Sequence, residues 1–165
     1  MGRTDFVSEN SLWSQKDFTE AEKIVRLVKD SGLEVIRLSY PDQHGMLRGK
    51  TIMASEIEQA LRNGCALTTT LLAKDTSHTT VFPVFSPGGG FGIPEMENAG
   101  DFIAVPDPAT FRLLPWAPGT GSLLCDGYLA NGEPVPFSTR QILKNALSSL
   151  EDNGLNYIAG IEVEC

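Results

Sequence analysis

The chain has 165 residues, 41% apolar and 21% charged, and its 13 Lys and Arg against 21 Asp and Glu give a net charge of −8. That length can bury a real core in one or two domains, and the composition is that of an ordinary soluble globular protein. The acidic balance argues against nucleic acid or an anionic membrane surface as the main partner, and no apolar run approaches the roughly 18 residues of a membrane span.

The first residues, Met1-Gly2-Arg3-Thr4-Asp5, lack the apolar segment of a secretory signal. Cys65, Cys125 and Cys165 are odd in number, widely spaced and without a Cys-x-x-Cys pair. They read as reduced thiols, with neither a disulfide framework nor a zinc site, and the expected compartment is the cytoplasm.

Residues 1–17 are polar and aperiodic and are expected to form a flexible arm. Thr19-Glu20-Ala21-Glu22 fits a capping box, and Ala21, Ile24, Val25 and Val28 recur at helical spacing, so a helix is predicted to Ser31 with Gly32 as its stop. Leu33 to Tyr40 and Met46 to Met53, joined by a turn at Pro41 to Gly45, read as a β-hairpin. Ser55-Glu56-Ile57-Glu58 repeats the capping signature for a short helix ending at Gly64, and Cys65 to Leu72 reads as a threonine-rich strand. From Ala73 to Gly100 the prolines and glycines predict no lasting regular structure. Strands are expected at Asp101 to Val105, Phe111 to Leu114 and Ser122 to Leu129. Ser138-Thr139-Arg140-Gln141 opens the best helix of the chain, with Ile142, Leu143, Ala146, Leu147 and Leu150 along one stripe. Leu155 to Val163 is predicted as a final strand. The order implies a β-rich domain over 18–133, followed by a helix and strand over 134–165 that begin a second unit.

That final strand carries Glu162 and Glu164. On a strand, side chains two apart share a face about 7 Å from one another, close enough to line one pocket and far enough to hold two cations. Carboxylate oxygens suit Mg²⁺ or Mn²⁺. The same Glu-Val-Glu alternation equally describes a plain half-exposed strand with both glutamates solvated. His44 and His78 have no paired ligand, and the glycines at 88–90 are followed by no Gly-Lys-Ser/Thr, so neither indicates a metal or phosphate site.

Several stretches together resemble one family. Asp101-Phe-Ile-Ala-Val-Pro106-Asp107-Pro-Ala-Thr110-Phe-Arg112-Leu-Leu-Pro115-Trp116 is similar to the region of glutamine synthetases that links the small N-terminal β-grasp domain toward the catalytic domain. Ala117 to Thr120 and Leu123 to Asp126 continue the likeness, Pro136 to Arg140 resembles the start of the first catalytic-domain helix, and Gly160 to Glu164 resembles the family's Gly-x-Glu-x-Glu strand. The hairpin with Asp42, Gly45, Arg48, Gly49 and Lys50 is similar to the β-grasp hairpin. The resemblance runs collinearly from about residue 20 to the end. It implies an α+β fold, a β-grasp domain over 18–133 leading into the first helix and strand of the catalytic domain. It also implies an ATP-dependent carbon–nitrogen ligase that phosphorylates the γ-carboxylate of glutamate and lets an amine displace the phosphate. Phosphorylation converts a poor electrophile into a good one, and two divalent cations neutralise the charge in transfer. Glu162 would serve the cation nearer the nucleotide and Glu164 the one nearer glutamate. The family's ring assemblies place each active site between neighbouring subunits, so a homo-oligomer is implied.

The chain departs from the family in two respects. The remaining metal ligands, nucleotide contacts and phosphate-binding arginines belong to a catalytic barrel expected after residue 165. The chain is therefore expected to be an N-terminal portion, inactive alone. Ammonia-using members carry an Asp that binds ammonium from the β-grasp domain; aligning on Gly64 places Thr68 there. A hydroxyl cannot replace a carboxylate's attraction for a small cation, while neighbouring leucines would suit an apolar amine. The expected substrate is an organic amine, with Asp75 a fallback source of charge. A non-catalytic β-grasp assembly module is the alternative.

Overall fold

The computed structural model describes residues 5–164. Helix α1 (Phe6–Glu9) opens the described chain, capped by the Asp5 carboxylate, which accepts from the Ser8 amide at 2.8 Å. Residues 5–17 are thus not a loose arm: Val7 is completely buried and the Phe6 amide donates to Asn63. Helix α2 (Gln15–Asp30) starts a turn earlier than its sequence signature suggested. Ser14 and Asp17 form the capping box, and Trp13 packs edge-on against Phe18, with ring centroids 5.4 Å apart, as a hydrophobic staple. Thr19, the expected cap, sits inside the helix and donates to the Gln15 carbonyl. Two overlapping capping signatures compete here, and the one with the aromatic staple prevails.

Strands β1 (Val35–Pro41) and β2 (Leu47–Met53) form the predicted hairpin. Helix α3 (Ile57–Asn63) follows a single 3₁₀ turn and lacks the side-chain cap that Ser55 and Glu58 suggested. Strand β3 (Cys65–Thr68) is only half the predicted length, because the Thr68 side chain caps a 3₁₀ turn at Thr69–Ala73. Strands β4 (Asp101–Pro106), β5 (Arg112–Leu113) and β6 (Thr120–Tyr128) complete the sheet. Its order is β2-β1-β6-β4-β3, with β5 also paired to β6; β1 and β6 run parallel and every other pair antiparallel. Lys50 on β2 donates to the Ala66 carbonyl on β3 at 2.7 Å, so the sheet curls until strands at opposite ends of the order meet.

Ile36, Leu38 and Tyr40 of β1, Phe102 and Ala104 of β4, and Leu123 and Cys125 of β6 form the core with Ala21, Ile24 and Val28 of α2 and Ile57, Ala60 and Leu61 of α3. Alternation along the strands and the 3.6-residue period of the helices deliver these side chains to one interior. Tyr40 stacks on Phe102 with centroids 4.9 Å apart, and a side chain at Gly127 would lie 2.9 Å from the Tyr40 ring, so only glycine leaves room for it. The stretch between β3 and β4 has no strand, yet the buried side chains of Val84 and Met96 anchor it to the body.

Helix α4 (Thr139–Asp152) forms as predicted, with Ser138 accepting from the Gln141 amide. The strand expected over Leu155 to Val163 does not form. Residues 155–164 have no regular structure and are exposed throughout, Ile161 at 93% and Val163 at 82%. A strand needs a neighbouring ladder for its amides and carbonyls. No strand among the described residues pairs with this segment, so alternation alone does not order it.

The hairpin loop depends on one buried carboxylate. Asp42, 1% exposed, accepts from the amides of His44 at 2.9 Å and Met46 at 3.0 Å and from the Arg48 guanidinium at 3.0 Å. Burial alone would raise its pKa, but the His44 amide, the Arg48 charge and the Met46 amide outweigh that and hold it below the usual carboxylate range. A lowered native pKa stabilises the fold above the unfolded value near 4 and loses that contribution as pH falls through the native one. Urea denaturation of Asp42→Ala should show a loss of roughly 2–3 kcal/mol at neutral pH, the scale of unmade charge-assisted bonds. Asp42→Asn should show a shallower loss of stability below pH ~4 than the parent.

Candidate functional site

Thr68 closes β3 at the end of the strand order, half-buried. Its hydroxyl accepts from the Thr70 amide at 3.3 Å and lies 3.1 Å from the Thr70 hydroxyl and 3.5 Å from the Ala99 carbonyl. The position therefore presents a neutral, locally engaged hydroxyl and no carboxylate. Of the neighbouring leucines, Leu67 and Leu72 are 6% and 3% exposed and belong to the core, while Leu71 is half-buried and packs against it. Strand alternation sends Leu67 inward, and the 3₁₀ turn rotates Leu72 inward as well.

Asp75 sits in the adjoining loop. Its carboxylate accepts from the Ser77 hydroxyl and amide and from the Thr79 amide, all within 2.9 Å. The Ser77 hydroxyl first, then the Thr79 amide, lowers its pKa, so the group is ionised at neutral pH. His44 bridges this loop to the hairpin, with its Nε2 3.1 Å from the Lys74 carbonyl. Thr68 and Asp75 thus occupy successive parts of one segment, and the negative charge belongs to Asp75.

Glu162 and Glu164 lie on the irregular exposed segment after α4, and no cluster of three metal-ligating groups exists among the described residues. Two carboxylates match hard divalent cations in ligand chemistry but cannot fill a six-oxygen shell. They would be two members of a larger set. The structure brings neither glutamate to Thr68.

Sequence reasoning missed a four-charge cluster at the root of α4. Arg140 donates to Asp126 at 3.0 Å and to Asp107 at 2.6 Å, while the Lys144 ammonium lies 2.6 Å from Asp126 and 3.6 Å from Asp107. Burial, then the Asp126 and Asp107 charges, push the adjacent Tyr128 phenol up to about 12. The four-residue spacing of Arg140 and Lys144 marks one helix face; nothing local identifies the carboxylates it meets. Trp116, the last residue of the stretch that resembles the glutamine synthetase linking region, is 76% exposed. Cys65 and Cys125 are free thiols, and burial raises the pKa of Cys125; Cys165 lies outside the described residues.

This is a mixed α/β fold built on a curled sheet, with acidic groups on the segment that leaves it. No family model matches the chain. A gamma-glutamylanilide synthase of Acinetobacter sp is 40% identical over 165 residues, spanning 98% of this chain and 33% of the relative. A glutamine synthetase of Methanosarcina mazei is 30% identical over 152 residues, 90% of this chain and 30% of the relative. A gamma-glutamylethanolamide synthetase of Streptomyces coelicolor is 32% identical over 145 residues, 87% of this chain and 30% of the relative. Among solved structures, a GmaS–ADP complex superposes with a TM-score of 0.58 at 24% identity, over 79% of this chain and 26% of that one, a likeness of fold. The chain belongs to the glutamine synthetase family. It spans about a third of the length of the curated relatives it matches. No helix among the described residues is long and apolar enough to cross a membrane.

The Asp75 carboxylate holds three donors of one loop, so Asp75→Ala should raise protease cleavage within residues 75–80 by roughly tenfold while the global transition shifts little. Limited proteolysis beside a thermal melt checks this.

Proposed function

We propose that a protein of this family built on this chain is an ATP-dependent ligase that joins the γ-carboxylate of glutamate to an organic amine through γ-glutamyl phosphate, in preference to ammonia. The observation that carries this reading is the 40% identity with a gamma-glutamylanilide synthase across nearly the whole chain. The neutral Thr68 hydroxyl, already satisfied within its own turn, supports it: nothing at that position competes with bulk water for ammonium. The sheet, with its leading hairpin, its parallel β1–β6 pair and α3 inserted between hairpin and β3, supports its reading as the β-grasp domain. On this reading the β-grasp domain takes in α1 and the whole of α2 and runs to residue 133, and 134–165 is the opening of the catalytic domain.

Thr68 supplies a wall of the amine site that binds by shape and leaves the incoming nitrogen uncharged, as attack on an acyl phosphate requires. Glu162 and Glu164 would hold Mg²⁺ or Mn²⁺ together with further ligands. When bound, those cations supply charge neutralisation for the phosphoryl group. Catalysis belongs to an assembly in which a neighbouring subunit completes each site. Leu47 and Met53 of β2, each 61% exposed, offer apolar surface for contacts between copies. The setting is the cytoplasm, where ATP and glutamate are abundant.

A coupled ADP-release assay with glutamate and a panel of ammonia, ethanolamine, isopropylamine and aniline tests the reading on protein of the relatives' length. The expected kcat/KM for at least one organic amine exceeds that for ammonia by roughly tenfold or more. Preference for ammonia would defeat it, and absence of turnover with every amine would leave the assembly-module reading in its place. Thr68→Asp keeps the turn cap, since Asp caps as well as Thr, and adds the missing charge. It should shift the amine-to-ammonia ratio toward ammonia by roughly tenfold, read from the same assay.

A further inference from the structure

Helix α4 carries an apolar stripe, yet it buries none of its side chains, and Ile142 and Leu143 are each 55% exposed. The helix is therefore not held by the usual means of packing an apolar face. What attaches it lies in its first two turns. Ser138, 1% exposed, caps it, and Arg140 and Lys144, one turn apart, reach two carboxylates on the body of the protein. Asp126 lies on β6, and Asp107 follows β4 and also caps the short turn at Pro108–Thr110 through the Ala109 amide. The two carboxylates sit on different segments, and the Arg140 guanidinium spans them with separate nitrogens, Nε to Asp126 and Nη2 to Asp107. A planar fork held at two points fixes a direction as well as a distance; a single ammonium does not. The side chains of Asp126, Asp107 and Arg140 are 9%, 17% and 20% exposed, so solvent screens these pairs less than ordinary surface pairs.

We propose that Arg140 is a positioning residue. Its two-point ionic clamp on Asp107 and Asp126, with Lys144 in support, sets the direction in which α4 leaves the sheet and hence where the segment bearing Glu162 and Glu164 lies. The catalytic meaning of that direction rests on the ligase reading above, but the clamp itself is tested without any assay of activity.

Spin labels at the exposed positions Arg37 on β1 and Glu151 on α4, with Cys65 and Cys165 replaced by Ser, report the distance between sheet and helix. The parent should give one narrow distance distribution. Arg140→Gln should broaden it at least about twofold while amide exchange in β1 and β6 stays unchanged, because only the attachment is lost. Arg140→Lys should restore part of the narrowing, since an ammonium holds one carboxylate firmly at a time. Leu143→Ser, on the exposed stripe, should leave the distribution as in the parent. If Arg140→Gln does not fold, Asp107→Asn, which removes one of the two anchor points, gives the same readout. An unchanged distribution in the clamp variants, or a broadening by Leu143→Ser equal to theirs, overturns the proposal. If the distances behave as expected and no amine is ligated, the clamp stands and the ligase reading alone fails.

Discussion

The parallel pairing of β1 with β6 is the constraint on which the rest of the fold depends. Val35 to Ser39 lie beside Thr120 to Leu124, so two segments some 85 residues apart must meet in one register. Everything between them is then arranged around that closure. The far half of β6 pairs with β4, which carries β3, and its near half also receives β5. β6 therefore belongs to both halves of the curled sheet, and its inward residues Leu123 and Cys125 occupy the centre of the core. Parallel neighbours cannot be joined by a tight turn, and here the crossover contains α3, β3, β4 and the long irregular stretch. Such a closure costs chain entropy that only the shared core recovers. Asp126, the carboxylate that anchors α4, is on the same strand, so the chain's exit depends on the same pairing.

Elements whose signal is local were legible in the sequence. The hairpin, β4, β6, α3 and α4 lie close to where alternation, turn residues and helical spacing put them. Misplacements have local causes too. Thr19 and Glu22 imitate a cap one turn inside α2, and only the contact of Trp13 with Phe18 discriminates it from Ser14 and Asp17. At Thr68 a strand-favouring residue instead caps a turn, cutting β3 short, because the threonine hydroxyl offers the backbone an alternative to the ladder. The arm of residues 5–17 reads as featureless since a single buried valine has no period.

The candidate site was legible in part, and the division is instructive. The resemblance, aligned on Gly64, singles out Thr68, and the likeness of Gly160 to Glu164 to the Gly-x-Glu-x-Glu strand singles out Glu162 and Glu164. What the sequence could not convey is whether such residues meet. Strand formation at 155–164 needs a ladder from elsewhere, which a residue pattern requests but does not supply. The ionic cluster illustrates the converse. Arg140, Asp107 and Asp126 carry no shared motif spacing, yet separations of 14 and 33 residues close to about 3 Å or less once β4 and β6 pair.

Helix α4 combines an ionic root with an exposed apolar stripe, and these two interactions differ in kind. Apolar contact is non-directional and tolerates sliding, whereas a guanidinium fork across two carboxylates fixes orientation. A helix attached first by its charges can hold one direction before its apolar face is covered. It carries beyond its far end a segment whose alternating residues have no ladder of their own. In the proposed ligase, cation binding would not be a property of Glu162 and Glu164 as residues. It would depend on the sheet from which α4 leaves, through Asp126 on β6, and so on the register with which β6 meets β1.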